Sequence, residues 1–333
     1  MSSTISLFLN LSQQVVIYMN IPVLIVGVIG GIFNLIVFLS FKTFRQNSCS
    51  FYLMIMSWVN IGQLLSGNFT RIMGGGYNID WTQNSLFYCK IRWYFIQLFI
   101  LTSYACLCFA TIDQYLATSS RYRWQQWSNI KLAYYLCSAS FIFAMLHGIP
   151  SIIFYNYGYS IVTGQRVCTI TNSNYQQYKT YGYFLILTGF LPIFITVLFG
   201  SLAYRNVQQI AYRTVPLVRR ELDKQLTTMV LVQVVYSLIV IMPYTICLSV
   251  TTMLNLRNDP VIVAKLQFIE ALAGAFYYSY FAAPFYIYIC VSKRFRQQLA
   301  YVLSPIFISC SRRQPIISNN QVVPEINGNS FQN

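Results

Sequence analysis

Long apolar runs alternate with short charged segments along the chain, so the charged positions cut it into pieces whose lengths can be measured. No Asp, Glu, Lys or Arg precedes Lys42, and the stretches 46–70, 93–112, 132–165, 180–204, 225–256 and 271–292 are free of all four. A membrane-crossing helix needs about 20 predominantly apolar residues, and seven pieces meet that length. Trimmed at loop-forming residues, they predict spans at about 17–41, 48–71, 89–117, 132–155, 180–204, 226–254 and 262–290. Lipid offers no hydrogen-bond partner to an open backbone, so each span is expected to be helical. The expected fold is an all-α membrane protein, a seven-transmembrane helix bundle within 17–303, flanked by a tail at 1–16 and a polar, disordered tail at 304–333.

Composition excludes the alternatives. Of 333 residues, 56% are hydrophobic, 17% aromatic and 9% charged, against roughly 25% charged in a soluble domain. A soluble enzyme, a disordered chain, a disulfide-knotted secreted fold and a collagen-like fibre do not fit. A net charge of +15 in a soluble protein would suggest nucleic acid; here the charges mark loops beside a lipid bilayer, and no nucleic-acid partner is expected.

Those charges also orient the chain through the excess of Lys and Arg on the cytoplasmic side. One set of loops holds Lys42, Arg45, Arg121, Arg123, Lys131, Arg205, Arg213, Arg219, Arg220, Lys224, Lys293, Arg294, Arg296, Arg312 and Arg313. The other holds only Arg71, Lys90, Arg92, Arg166, Lys179, Arg257 and Lys265. The N-terminus is therefore expected outside the cell and the C-terminus in the cytoplasm. Residues 1–20 lack the basic start of a secretory leader, so the first span is expected to insert as its own anchor. Of nine cysteines, Cys89 and Cys168 are the two expected on the oxidising side. Their expected disulfide would pin the loop after the fourth span over the bundle; the alternative is two free thiols. β-Branched residues flank Thr163-Gly164 in that loop, which reads as a small hairpin. The sequon at Asn10 falls in the outer tail and is a glycosylation candidate. A second sequon, at Asn68, falls within a span, and Asp259-Pro260 reads as an N-cap followed by proline at the first helical position.

The pattern resembles rhodopsin-like G-protein-coupled receptors of the peptide type, specifically the FMRFamide-receptor-like invertebrate group, over about residues 15–303. Gly31-Ile32-Phe33-Asn34 matches the first-helix signature, and Asp80-Trp81 precedes Cys89 as in such receptors. The family's Asp-Arg-Tyr triplet, placed from the third-helix cysteine, lands on Asp113-Gln114-Tyr115. Pro150, Pro192 and Pro243 sit where helices 4, 5 and 6 carry proline, and 292–296 match the start of a short amphipathic helix 8, with Cys310 as a palmitoylation candidate. The departures are Gln114 for the triplet arginine, Asn60 for the helix 2 aspartate, Val240-Ile241-Met242-Pro243 for Cys-Trp-x-Pro, and no helix 4 tryptophan. At the helix 7 signature, Tyr288 takes the place of the tyrosine and Pro284 lies one residue early.

The resemblance implies an extracellular ligand, a heterotrimeric G protein as partner, location in the plasma membrane, and a two-state opening of a cytoplasmic crevice as helix 6 swings about Pro243. It makes Asp113, Gln114, Tyr115, Pro243, Pro284 and Tyr288 the candidate switch residues. Gln114 is neutral and shorter than arginine, which leaves Asp113 to pair with Arg121, Arg123 or a tyrosine. Asn34, Asn60 and Ser279 are expected to form a neutral interhelical cluster without a sodium ion, and His147 to make an interhelical hydrogen bond. No cofactor or metal is expected. An amine receptor would carry aspartate at Ile96 and a retinal protein a lysine near Tyr277-Tyr278. What remains is an aromatic, hydroxyl-rich upper bundle with Tyr94, Gln97, Tyr104, Tyr181, Tyr244, Thr245, Tyr277 and Tyr278 as ligand candidates, joined by the outer carboxylate Glu270. A neuropeptide, amidated ones included, is the favoured ligand. The rival readings are a seven-helix ligand-binding protein with weak or absent coupling and a channel or transporter, which would be expected to show inverted repeats. One histidine and scattered acids assemble no catalytic set.

Overall fold

The computed structural model describes residues 2–159, 164–210, 217–253 and 260–311. Among them, seven helices are long and apolar enough to cross a membrane. They are α1 (Ser2–Ser40), α2 (Ser48–Gly76), α3 (Leu86–Thr118), α4 (Ile130–Phe154), α5 (Ser173–Gln209), α6 (Leu217–Met253) and α7 (Pro260–Ala282). A short α8 (Pro284–Val291) continues α7 after a break at Ala283, and an amphipathic α9 (Lys293–Ser311) follows.

Polar caps define the helix starts. Asn47, Ser85, Asn129 and Asn172 each accept a bond from a backbone N–H three residues on, satisfying donors that the first turn leaves open. Helix α3 packs against α2, α4, α5 and α6, while α1 closes the ring between α2 and α7. Large apolar side chains such as Phe143, Leu146, Phe194, Ile239 and Ile246 face outward, which is the pattern expected where lipid is the solvent.

Three boundaries differ from the sequence expectation. Helix α1 begins at Ser2, so residues of the expected N-terminal tail extend the first span. Helix α9 runs to Ser311, beyond the expected start of disorder at 304; residues 312–333 lie outside the described residues. Helices α2 and α5 run past Arg71 and Lys179 respectively, which puts both charges inside spans. Both helices contain π-helical turns, at Leu64–Asn68 and Ile72–Gly76 in α2 and at Tyr178–Phe190 in α5. Each inserted residue turns the following side chains by about 100° relative to an α-helix.

Between α4 and α5, β1 (Tyr155–Tyr159) pairs antiparallel with β2 (Arg166–Ile170), with Tyr157 opposite Cys168. This is the expected hairpin. Gly164 has φ 66°, a conformation that glycine adopts without strain, while residues 160–163 lie outside the described residues. Cys168 is disulfide-bonded to Cys89 at the start of α3, with the Cα atoms 5.7 Å apart, so the hairpin is tied across the mouth of the bundle. Helix α7 starts at Pro260, and its expected cap Asp259 lies outside the described residues.

Candidate functional site

Under the hairpin the helices leave a cavity of about 330 Å³. Its roof is Cys168, Thr169 and Ile170 of β2, and Tyr155 of β1 stands at its edge, stacked on Trp93 at 5.0 Å. Burial pushes the pKa of the Tyr155 phenol well above the ordinary value. The walls are Ile96 and Ile100 of α3, Phe184 of α5, and Tyr244 of α6 stacked on Tyr277 of α7 at 4.4 Å, with Tyr278 beside them. Gln63 and Arg71 of α2, Arg92 of α3, and Lys179 and Thr180 of α5 supply the polar lining.

The nine ligand candidates divide by position. Tyr244, Tyr277 and Tyr278 line the cavity. Gln97 is buried behind it: its Oε1 accepts from Lys179 Nζ at 2.5 Å and from Ser151 at 2.8 Å, and its Nε2 bonds both the ring and the carbonyl of His147. His147 Nε2 and the Tyr178 hydroxyl form a further bond between α4 and α5 at 2.5 Å. Tyr104 lies deeper, edge-on to Tyr280 at 5.3 Å. Thr245 is buried and donates to Ile241 O of its own helix. Glu270 lines an adjoining cavity with Arg71 and exposed Asn10. Tyr94 packs at Gly148 on the α4 side, and Tyr181 is exposed on α5. Sequence reasoning missed Arg71 and Lys179 because it treated charges as the ends of spans, and passed over Arg92 although it fell within the expected third span, where a charge characteristically faces the bundle interior. Asn68 of the second sequon is fully buried and donates to Asn20 O.

At the opposite end, the triplet is tightly engaged. The Asp113 carboxylate accepts from Ser48 Oγ of α2, with both oxygens at 2.8 Å, and Ser128 adds a further side-chain bond. These are the partners in place of the expected Arg121, Arg123 or tyrosine, because α2 begins beside the carboxylate and presents the hydroxyl of its first residue. Gln114 Oε1 accepts from Thr227 Oγ1 of α6 at 2.7 Å, both residues being buried. The Tyr115 ring packs between Trp124 and Phe199.

Tyr288 is fully buried, donates to Gln233 Oε1 of α6 at 2.6 Å, and packs edge-on against Phe38 and Phe295. Pro284 is the first residue of α8, and Pro243 lies inside α6. The neutral cluster forms with different members: Ser103 Oγ donates to Asn60 Oδ1 at 2.6 Å with Tyr280 beyond it, while Ser279 pairs with the Tyr236 hydroxyl. Cys310 lies on α9, its side chain outside the described residues.

A closed ring of seven apolar helices, a disulfide-tied hairpin at one end and a polar triplet with buried Asp113 and Gln114 at the other define a seven-helix membrane receptor. Residues 31–280 match the model of the 7 transmembrane receptor (rhodopsin family), and the chain belongs to that family. It is accordingly a multi-pass receptor of the plasma membrane. No individual curated protein matches it.

Proposed function

We propose that the chain binds an extracellular peptide in the cavity beneath the hairpin and signals to a heterotrimeric G protein through movement of α6 at the opposite end. In this reading the N-terminus is outside, which the distribution of basic residues supports, and the ligand enters past β2. The observation that carries the reading is the cavity itself: it is walled by α2, α3, α5, α6 and α7, so one ligand contacts α6, which bears Pro243, together with the helices packed around it. A ligand with different affinity for two arrangements of those helices shifts their populations. At the far end, Gln114 joins α3 to α6 through Thr227, which gives the resting arrangement a bond to break.

The test is a neuropeptide library applied to cells expressing the chain, with calcium and cyclic-nucleotide readouts. A saturable, G-protein-dependent response absent from mock-transfected cells is expected. Peptide binding at the surface without such a response would favour the non-coupling receptor, and ligand-independent ion flux through the purified protein would favour a channel.

A further inference from the structure

The cavity carries three cations and no carboxylate among its described lining residues: Arg71, Arg92 and Lys179 come from three different helices and converge on one space. Tyr278 lines the same cavity as both guanidinium groups. The protein satisfies these groups only in part. Arg71 Nη2 donates to the Glu270 carbonyl at 2.9 Å, but Arg71 Nε and Arg92 Nε are buried with no hydrogen-bond partner. Lys179, 3% exposed, has Gln97 Oε1 at 2.5 Å and the Tyr183 ring face at 3.9 Å, both of them neutral. Gln63 is fully buried and neither atom of its amide has a partner. A Cβ at Gly67 would lie 2.8 Å from Gln63 Nε2 and 3.1 Å from the Tyr278 hydroxyl, so the glycine keeps open the space that these two polar groups share.

Two acids stand nearby, fewer than the three cations: Asp80 accepts from the Thr82 N–H and hydroxyl, and Glu270, itself engaged, shares the adjoining cavity with Arg71. Buried donors of a cation that are left unfilled are costly unless an anion completes them. A carboxylate does so well, because its two oxygens match the guanidinium fork.

We infer that the cavity selects a ligand bearing a carboxylate, seated between Arg71, Arg92 and Lys179 with its apolar part against Trp93, Ile96 and Tyr277. The inference rests on the receptor reading above and sharpens it: the preferred peptide ends in a free acid rather than an amide.

The test uses the full-length protein purified in lipid nanodiscs and follows its thermal unfolding. The probes are a pool of N-acetylated tripeptides with aromatic C-terminal residues as free acids, the same pool amidated, and decanoate as a non-peptide carboxylate. Free-acid peptides or decanoate should stabilise the protein with at least tenfold higher apparent affinity than the amidated pool, and which of the two acids does so names the source. Arg92→Gln should abolish that preference and Arg92→Lys retain part of it. Lys179→Met should lose acid binding while raising the melting temperature of the unliganded protein, an outcome that a purely structural lysine would not give. Equal or better binding of the amides, no stabilisation by any probe, or full acid preference in Lys179→Met would overturn the inference. Evoked G-protein activation is scored separately. Signalling without acid preference removes the anion site alone, and acid preference without signalling under any library ligand removes the coupling.

Discussion

Thr227→Val tests whether the bond between α3 and α6 restrains signalling. Valine keeps the shape of threonine and deletes the hydroxyl, which donates to Gln114 Oε1 at 2.7 Å and lies 2.7 Å from Asp223 O of its own helix. Interhelical side-chain hydrogen bonds within membranes are worth about 0.6 kcal/mol on average and up to about 1.7. If the bond exists only in the resting arrangement, its loss shifts the equilibrium toward the active one by about 3- to 18-fold. The shift would appear as raised basal G-protein activation at matched surface expression, with agonist potency rising by a similar factor. The back-bond to Asp223 is internal to α6 and unaffected by movement of the whole helix. Gln114→Leu should give the same phenotype, and the double variant should add little, because both remove one bond. Unchanged basal activity in both single variants, or effects that add fully, would refute the restraint.

Three further outcomes are expected. Cys168→Ser should reduce surface expression or ligand binding, because it frees β2 from α3 over the cavity mouth; mass spectrometry on protein from intact cells should find Cys89 and Cys168 linked. An N-terminal epitope tag should stain on unpermeabilised cells and a C-terminal tag only after permeabilisation; the reverse would contradict the orientation read from the loop charges. Gln114→Arg inserts a charge at a position 1% exposed, beside Asp113 and Thr227, and should alter basal or evoked activation by about 5- to 150-fold, the range typical of allosteric coupling, while ligand affinity measured without G protein moves much less.

The spans, the hairpin and its disulfide were legible in the sequence because each depends on local pattern: apolar length, turn chemistry, and the side on which a cysteine falls. The cavity's polarity was not legible, and the reason is specific. Cutting the chain at charges assumes that a charge ends a helix, yet α2 continues to Gly76 and α5 starts at Ser173 behind the Asn172 cap. The π turns then decide which way the side chains face. On α5 Lys179 and Tyr183, about one turn apart, face inward and Tyr181 between them is exposed; over the full length of the π-helical stretch, counting at 3.6 residues per turn drifts away from the real facing. The signal that could have found Arg71 and Lys179 was the polar cap Asn172, seven residues before the lysine, and the apolar residues flanking the arginine. Asp113's partners were out of reach for another reason, since Ser48 lies 65 residues away and meets the carboxylate only once α2 and α3 pack.

One element joins the two ends. Helix α6 presents Tyr244 to the cavity and Thr227 to Gln114, and these positions are about 25 Å apart along a helix rising 1.5 Å per residue. Pro243 lies next to Tyr244 and removes a backbone hydrogen bond from that turn, so the weak point of the lever is at its ligand end and nearly its whole length swings below. A tilt of about 10° there displaces Thr227 by about 4 Å, more than a hydrogen bond tolerates. Between the ends, Gln233 holds Tyr288 and the Met56 sulfur, and Tyr236 holds Ser279. Each of these restraints is neutral. In the proposed mechanism the resting arrangement of α6 is therefore held by several small terms of similar size rather than by one charged pair, and removing any one of them should raise basal activity by a modest factor rather than release the helix outright.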